Sequence, residues 1–107
     1  MRKYKVITLC GSTRFKDAFE SANERLTLEG NIVLSVGLFS HAKENGVEWA
    51  NNGIKEMLDD IHKRKIDMSD EIFVINVGGY IGDSTRSEIE YAKATNKPVR
   101  YLESISE

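Results

Sequence analysis

Apolar residues along this chain come in two rhythms: short, nearly unbroken runs alternate with stretches in which apolar positions recur every three or four residues. Lys5 to Cys10 reads Lys-Val-Ile-Thr-Leu-Cys and stops at Gly11-Ser12-Thr13, which predicts a buried parallel strand running into a turn. From Arg14 to about Glu29, Phe15, Ala18, Phe19, Ala22 and Leu26 fall at helical spacing with charges between them, and Gly30 follows as a helix-ending glycine. Asn31 to Val36 predicts a second strand closed by Gly37. Leu38 to Asn52 keeps no period; it reads as a long loop carrying Phe39, His41 and Trp49 and entering a helix near Val47 to Gly53.

Ile54, Met57, Leu58, Ile61, Lys65 and Met68 mark a second helix, with Asp59-Asp60 and His62-Lys63-Arg64-Lys65 on its charged side. After Asp70, the run Glu71 to Val77 predicts strand three, and Gly78-Gly79-Tyr80-Ile81-Gly82 a turn. Ser84 to Thr95 reads as a third helix, Lys97 to Leu102 as a fourth strand, and Ser104 to Glu107 as a polar tail. The order β-α-β-α-β-α-β calls for a parallel sheet of four or five strands with helices on both faces. The expected fold is therefore α/β, a small Rossmann-like (flavodoxin-like) three-layer sandwich forming one domain over residues 1–107.

Composition narrows the functions open to such a fold. Fifteen Lys plus Arg against seventeen Asp plus Glu give a net charge of -2, so no basic face favours a nucleic acid polymer or an anionic membrane. No apolar run is long enough to span a membrane or serve as a signal peptide, and a single cysteine, Cys10, precludes an intrachain disulfide. A cytoplasmic protein is the expectation. His41, His62 and Cys10 lack metal-ligand spacing, and neither a dinucleotide fingerprint nor a Walker phosphate loop is present, so no metal and no cofactor is expected.

In parallel α/β sheets ligands bind beyond the carboxyl ends of the strands, where strand order reverses. Two loops qualify. In Gly11-Ser12-Thr13-Arg14 a tight turn, two hydroxyls, a helix start and a guanidinium suit a phosphate or carboxylate, though Ser12 or Thr13 capping a helix beside a solvated Arg14 explains the same residues. In Gly78 to Glu88, Thr85-x-x-Glu88 fits a capping box. The alternative for Glu88 is a first-turn carboxylate, kept ionised by the helix dipole, that acts as nucleophile or electrostatic stabiliser.

Together, Cys10-Gly11-Ser12-Thr13-Arg14, Asp70 opening strand three, Glu88-Ile89-Glu90-Tyr91-Ala92 and Lys97-Pro98-Val99 resemble the nucleoside 2-deoxyribosyltransferase family, and the Cys-Gly-Ser-x-Arg form is similar to its 2'-deoxynucleoside 5'-phosphate N-hydrolase branch. The resemblance implies a cofactor-free enzyme that cleaves or transfers the N-glycosidic bond of a 2'-deoxynucleoside or its monophosphate. It makes Glu88 the nucleophile, with Glu90 standing where the family motif has glycine, and Gly11, Ser12, Thr13 and Arg14 the sugar-phosphate loop. Gly82, Asp83 and Ser84 are expected to bind substrate with them. Where the family has an Asp eight residues before the acid opening strand three, this chain has His62, with Asp59 or Asp67 as substitutes only if the helix shifts register.

A four- or five-element sheet on 107 residues leaves little core, and the resemblance implies sites completed by a neighbouring subunit, so a homodimer or larger is expected, with apolar surface on the second and third helices near Met57, Ile61 and Tyr91 as the natural contact. Two other readings stay open: a nucleotide-binding or sensing module of the same fold without turnover, and a phosphoribohydrolase acting on ribonucleoside monophosphates.

Overall fold

The computed structural model describes residues 3–37 and 53–105. Strands β1 (Val6–Gly11), β2 (Ile32–Leu34), β3 (Glu71–Ile75) and β4 (Val99–Tyr101) form one all-parallel sheet in the order β2-β1-β3-β4. Helices α1 (Lys16–Leu28), α2 (Ile54–Asp67) and α3 (Asp83–Ala94) connect or flank them, giving the Rossmann-like α/β architecture. The expected loop over Leu38–Asn52, with Phe39, His41, Trp49 and the helix start near Val47, lies outside the described residues.

The strand runs explain the layering. Ile7, Leu9, Phe73 and Ile75 point to one face, where Phe19, Ala22 and Leu26 of α1 cover them. Cys10, Ile72 and Val74 point to the other, against Ile66 of α2 and Ile89 and Ala92 of α3. Because β1 and β3 are covered on both sides, their sequences are apolar without alternation. The edge strands keep three residues each, shorter than the runs Asn31–Val36 and Lys97–Leu102 suggest, since each has a pairing partner on one side only.

Helix boundaries differ from the periodicity in two places. A 3-10 turn (Thr13–Phe15) precedes α1, so the α-helix starts two residues after Arg14. On the other side Gly82, in an extended conformation, precedes α3, which starts at Asp83 and not Ser84. Gly30 does end α1, with a φ of 98° and its N–H donating to the Thr27 carbonyl at 2.9 Å.

The amino end of the sheet is tied by ions. The Val6 N–H donates to the Asp70 carboxylate at 2.8 Å, and buried Glu71 sits between Lys5 at 3.3 Å and Arg100 at 2.9 Å. At the carboxyl end, the buried Asn76 amide donates to the Glu103 carbonyl at 2.9 Å and accepts the Glu103 N–H at 2.8 Å. The Glu103 carboxylate in turn accepts the Gly78 N–H at 3.0 Å, so this clasp fixes the turn after β3.

Asn76→Ala removes both amide bonds of the clasp. The expected cost is about 1–3 kcal/mol, read as a fall of roughly 5–15 °C in the melting temperature of a domain this size. An unchanged melting temperature would mean that water replaces the amide without loss.

Candidate functional site

The strand order reverses between β1 and β3, and the loops leaving their carboxyl ends lie side by side. Gly11 makes that approach possible. Its φ is 153°, and a Cβ there would lie 2.9 Å from the Ile75 carbonyl oxygen. Beyond it, the Ser12 hydroxyl accepts the Arg14 N–H at 3.3 Å and its Nε–H at 3.2 Å, so Ser12 caps the 3-10 turn and steers the guanidinium as well. Thr13 lies within that turn.

Arg14 reaches across to the second loop. Its guanidinium carbon stands 4.3 Å from the centre of the Tyr80 ring, and Nη2 donates to the Tyr80 hydroxyl at 3.3 Å. Phe15 meets the same ring edge-on at 6.0 Å. Gly82 lies under it, since a Cβ at Gly82 would come within 3.1 Å of the Tyr80 hydroxyl. Among the described residues Arg14 has no carboxylate partner, and the side chain is exposed. The structure thus joins Ser12, Arg14 and Gly82 through Tyr80, which the sequence reading left as a turn residue. Asp83 and Ser84 occupy the first turn of α3 and are exposed.

The capping box at Thr85-x-x-Glu88 does not form. Gly82 stands at the N-cap without a side-chain cap bond, both Thr85 and Glu88 are buried, and Glu88 falls in the second turn of α3. Thr85, Glu88, Ile89 and Ala92 follow the i, i+3, i+4, i+7 spacing of one helix face, and that face is the one against the sheet. Glu90, in contrast, faces solvent.

Glu88 meets two other buried side chains there. Cys10, near the end of β1 and 0% exposed, brings its Sγ within 4.8 Å of a Glu88 carboxylate oxygen. His62 of α2 brings Nε2 to 4.0 Å from Glu88 Oε1 and to 3.0 Å from the Leu9 carbonyl oxygen. A carbonyl only accepts, so the bond to Leu9 selects the tautomer with the proton on Nε2. His62 was expected on the charged side of its helix; the spacing Leu58, His62, Ile66 puts it on the inner face instead. Neither acid proposed as its substitute turns inward. Asp59 pairs with Lys55 at 2.9 Å, and Asp67 accepts from Arg64 and the Tyr91 hydroxyl, each at 2.6 Å.

Burial dominates the protonation of this cluster. It raises the Glu88 carboxyl to about 7, against the hydrogen bond from Cys10, with Asp59 adding to the rise and Lys63 and Lys55 opposing it. The expectation that a helix dipole keeps Glu88 ionised is therefore corrected: the group lies a turn too deep, and desolvation outweighs the dipole, which fades within the first turn. Burial, then Glu88's charge, holds the Cys10 thiol well above its usual value. Burial and the neighbouring Lys65 charge lower the His62 imidazole, so it is neutral at neutral pH.

Cys10, His62 and Glu88 together offer a thiol sulfur, an imidazole nitrogen and a carboxylate oxygen, all within 4.8 Å of one another. Spacing along the chain gave no sign of this convergence, because the three residues come from β1, α2 and α3. Of the residues named for subunit contact, Met57 and Ile61 are exposed on α2, whereas Tyr91 is half-buried and engaged with Asp67. An open depression of about 400 Å³ on α1, lined by Glu20, Asn23, Glu24, Thr27 and Leu28, contains none of these groups. No family model, curated protein or solved structure matches the chain.

Proposed function

We propose that this protein cleaves or transfers the N-glycosidic bond of a 2'-deoxynucleoside or its 5'-monophosphate, with Glu88 as the nucleophile. The observation that carries the reading is a buried carboxyl on α3 beside Cys10 of β1, with an exposed arginine, lacking an acid partner among the described residues, on the loop that leaves the same strand. A helix rises about 1.5 Å per residue. Glu88, six residues beyond Gly82, is thus about 9 Å along the α3 axis from the glycine that lies against Tyr80, and in this reading the sugar sits at Glu88 with its 5'-phosphate on Arg14.

The chemistry follows from charge. Breaking the C–N bond builds positive charge at the anomeric carbon, and a desolvated carboxylate beneath it stabilises that charge far better than one in water. Attack by Glu88 forms a glycosyl ester and releases the base with its bonding pair. Water, or a second base, then displaces the carboxylate at the same carbon. Cys10 and His62 lie against Glu88 in the buried cluster, and because the Nε2 proton of His62 goes to the Leu9 carbonyl, His62 leaves the carboxylate free to attack.

The direct test is chromatography of base released from a panel of nucleosides and 5'-monophosphates, with and without an acceptor base. Release from deoxynucleosides or their monophosphates is expected. Tight nucleotide binding with no release from any of them would replace this reading with the binding module, and release confined to ribonucleoside monophosphates would replace it with the phosphoribohydrolase.

Arg14→Ala separates the phosphate role from the rest of the crevice. Binding of a 5'-monophosphate is expected to weaken at least about tenfold, ~1.4 kcal/mol, while the matching nucleoside changes by about twofold or less. Arg14→Lys should fall between, because an ammonium restores the charge without the planar fork or the ring stacking. Equal loss for both ligands in isothermal titration would place Arg14 away from the phosphate.

A further inference from the structure

We propose that Cys10, His62 and Glu88 form a binding site for a thiophilic divalent cation of the zinc type, and that the bound cation takes Glu88 out of its catalytic role. Only the second half rests on the glycosidase reading.

The three donors come from three different elements, β1, α2 and α3, and converge with their donor atoms within 4.8 Å. All three residues are buried, which sets them apart from the scattered surface acids that rarely bind anything. Sulfur, imidazole nitrogen and carboxylate oxygen are the donor types zinc selects, and three protein ligands leave a fourth tetrahedral position for water. Zinc bond lengths of about 2.0–2.3 Å put tetrahedral ligand atoms roughly 3.3–3.6 Å apart. The His62–Glu88 separation of 4.0 Å must therefore shorten by about half an ångström, and the widest donor pair, within 4.8 Å, by up to about 1.2 Å, which side-chain torsions supply.

Charge supports the same conclusion. A thiolate and a carboxylate around a dication sum to zero, so the assembled cluster is a far smaller desolvation burden than the separate ions. On coordination the Cys10 thiol proton leaves to water, and His62 shifts its proton from Nε2 to Nδ1, exchanging the Leu9 carbonyl for the metal. With one Glu88 oxygen bound to the cation and the carboxylate's negative charge neutralised by it, the group is no longer a free nucleophile for a sugar.

Cobalt(II) reports on the site without reference to activity. Added to the full chain under reducing conditions, it is expected to give a near-ultraviolet thiolate-to-cobalt charge-transfer band and the visible bands of a tetrahedral centre, saturating at one equivalent and displaced by Zn²⁺. Cys10→Ser should abolish the charge-transfer band, and His62→Gln and Glu88→Gln should each weaken Zn²⁺ binding about 10–100-fold in calorimetry. Circular dichroism identifies any variant that does not fold, for which Cys10→Ala or His62→Asn substitutes.

Absence of the charge-transfer band in the parent protein, or Zn²⁺ affinity undiminished by loss of Cys10, overturns the site. Base release that persists under saturating Zn²⁺, with the band present, overturns the inhibition alone. A protein that binds Zn²⁺ as described yet releases no base keeps the site and loses the glycosidase reading.

Discussion

Glu88→Gln is expected to lose more than about 1,000-fold in base release, about 4 kcal/mol of barrier, while remaining folded. The amide matches the carboxyl in shape, so the buried face of α3 formed by Thr85, Glu88, Ile89 and Ala92 should survive. It neither attacks the anomeric carbon nor stabilises positive charge there. Had Glu88 capped its own helix, the same change would be almost silent; its buried second-turn position removes that explanation. Base release by the variant above a tenth of the parent rate would show that another group does the chemistry. For the parent, kcat/KM is expected to rise with pH through about 7, since only the ionised carboxyl reacts.

The second large effect is on stability, and it has the opposite sign. Glu88 titrates near its ordinary value of 4.5 in the unfolded chain and at about 7 in the folded one. Between those values the folded state binds the extra proton, so stability is full below the lower value and is lost as pH rises through the upper one. For a shift from 4.5 to about 7 the loss is on the order of 3 kcal/mol.

Glu88→Gln carries no such penalty, and at pH 8 it should be more stable than the parent by roughly 2–3 kcal/mol in urea unfolding, with the advantage gone at pH 5. Cys10, His62, Asp59, Lys63 and Lys55 face the same carboxyl, and His62 alone would give a slope of opposite sign. All five are retained in the variant, so the difference between the two proteins isolates Glu88. Parallel stability curves from pH 5 to 8 would show that the carboxyl is solvated in the folded state.

The layers of the fold were legible because both central strands are buried on two faces, which writes itself as unbroken runs such as Ile72-Phe73-Val74-Ile75. The Gly11–Arg14 loop was legible for a related reason: a strand that stops at glycine marks a carboxyl edge. Less could be read of the site. Cys10, His62 and Glu88 are separated by dozens of residues, and only the packing of α2 and α3 against one sheet face unites them. A local signal did exist in the polar residues on otherwise inward stripes, His62 between Leu58 and Ile66 and Glu88 between Thr85 and Ile89. The capping-box pattern concealed the second of these, because Thr85-x-x-Glu88 satisfies it equally well when the helix has already begun two residues earlier. Tyr80 had no signal beyond being an aromatic among glycines.

The Asn76–Glu103 clasp also imposes an order of events on a chain that leaves the ribosome from its amino end. Arg14 and its loop emerge early, and Tyr80 follows, but the turn that holds Tyr80 is not locked until Glu103 has been added, 27 residues after Asn76. Until then the Asn76 amide must find water where the finished protein has backbone, and Gly78 lacks its acceptor. The Tyr80 turn that meets Arg14 is therefore fixed only after β4 has docked on β3 and the sheet's last strand is in place.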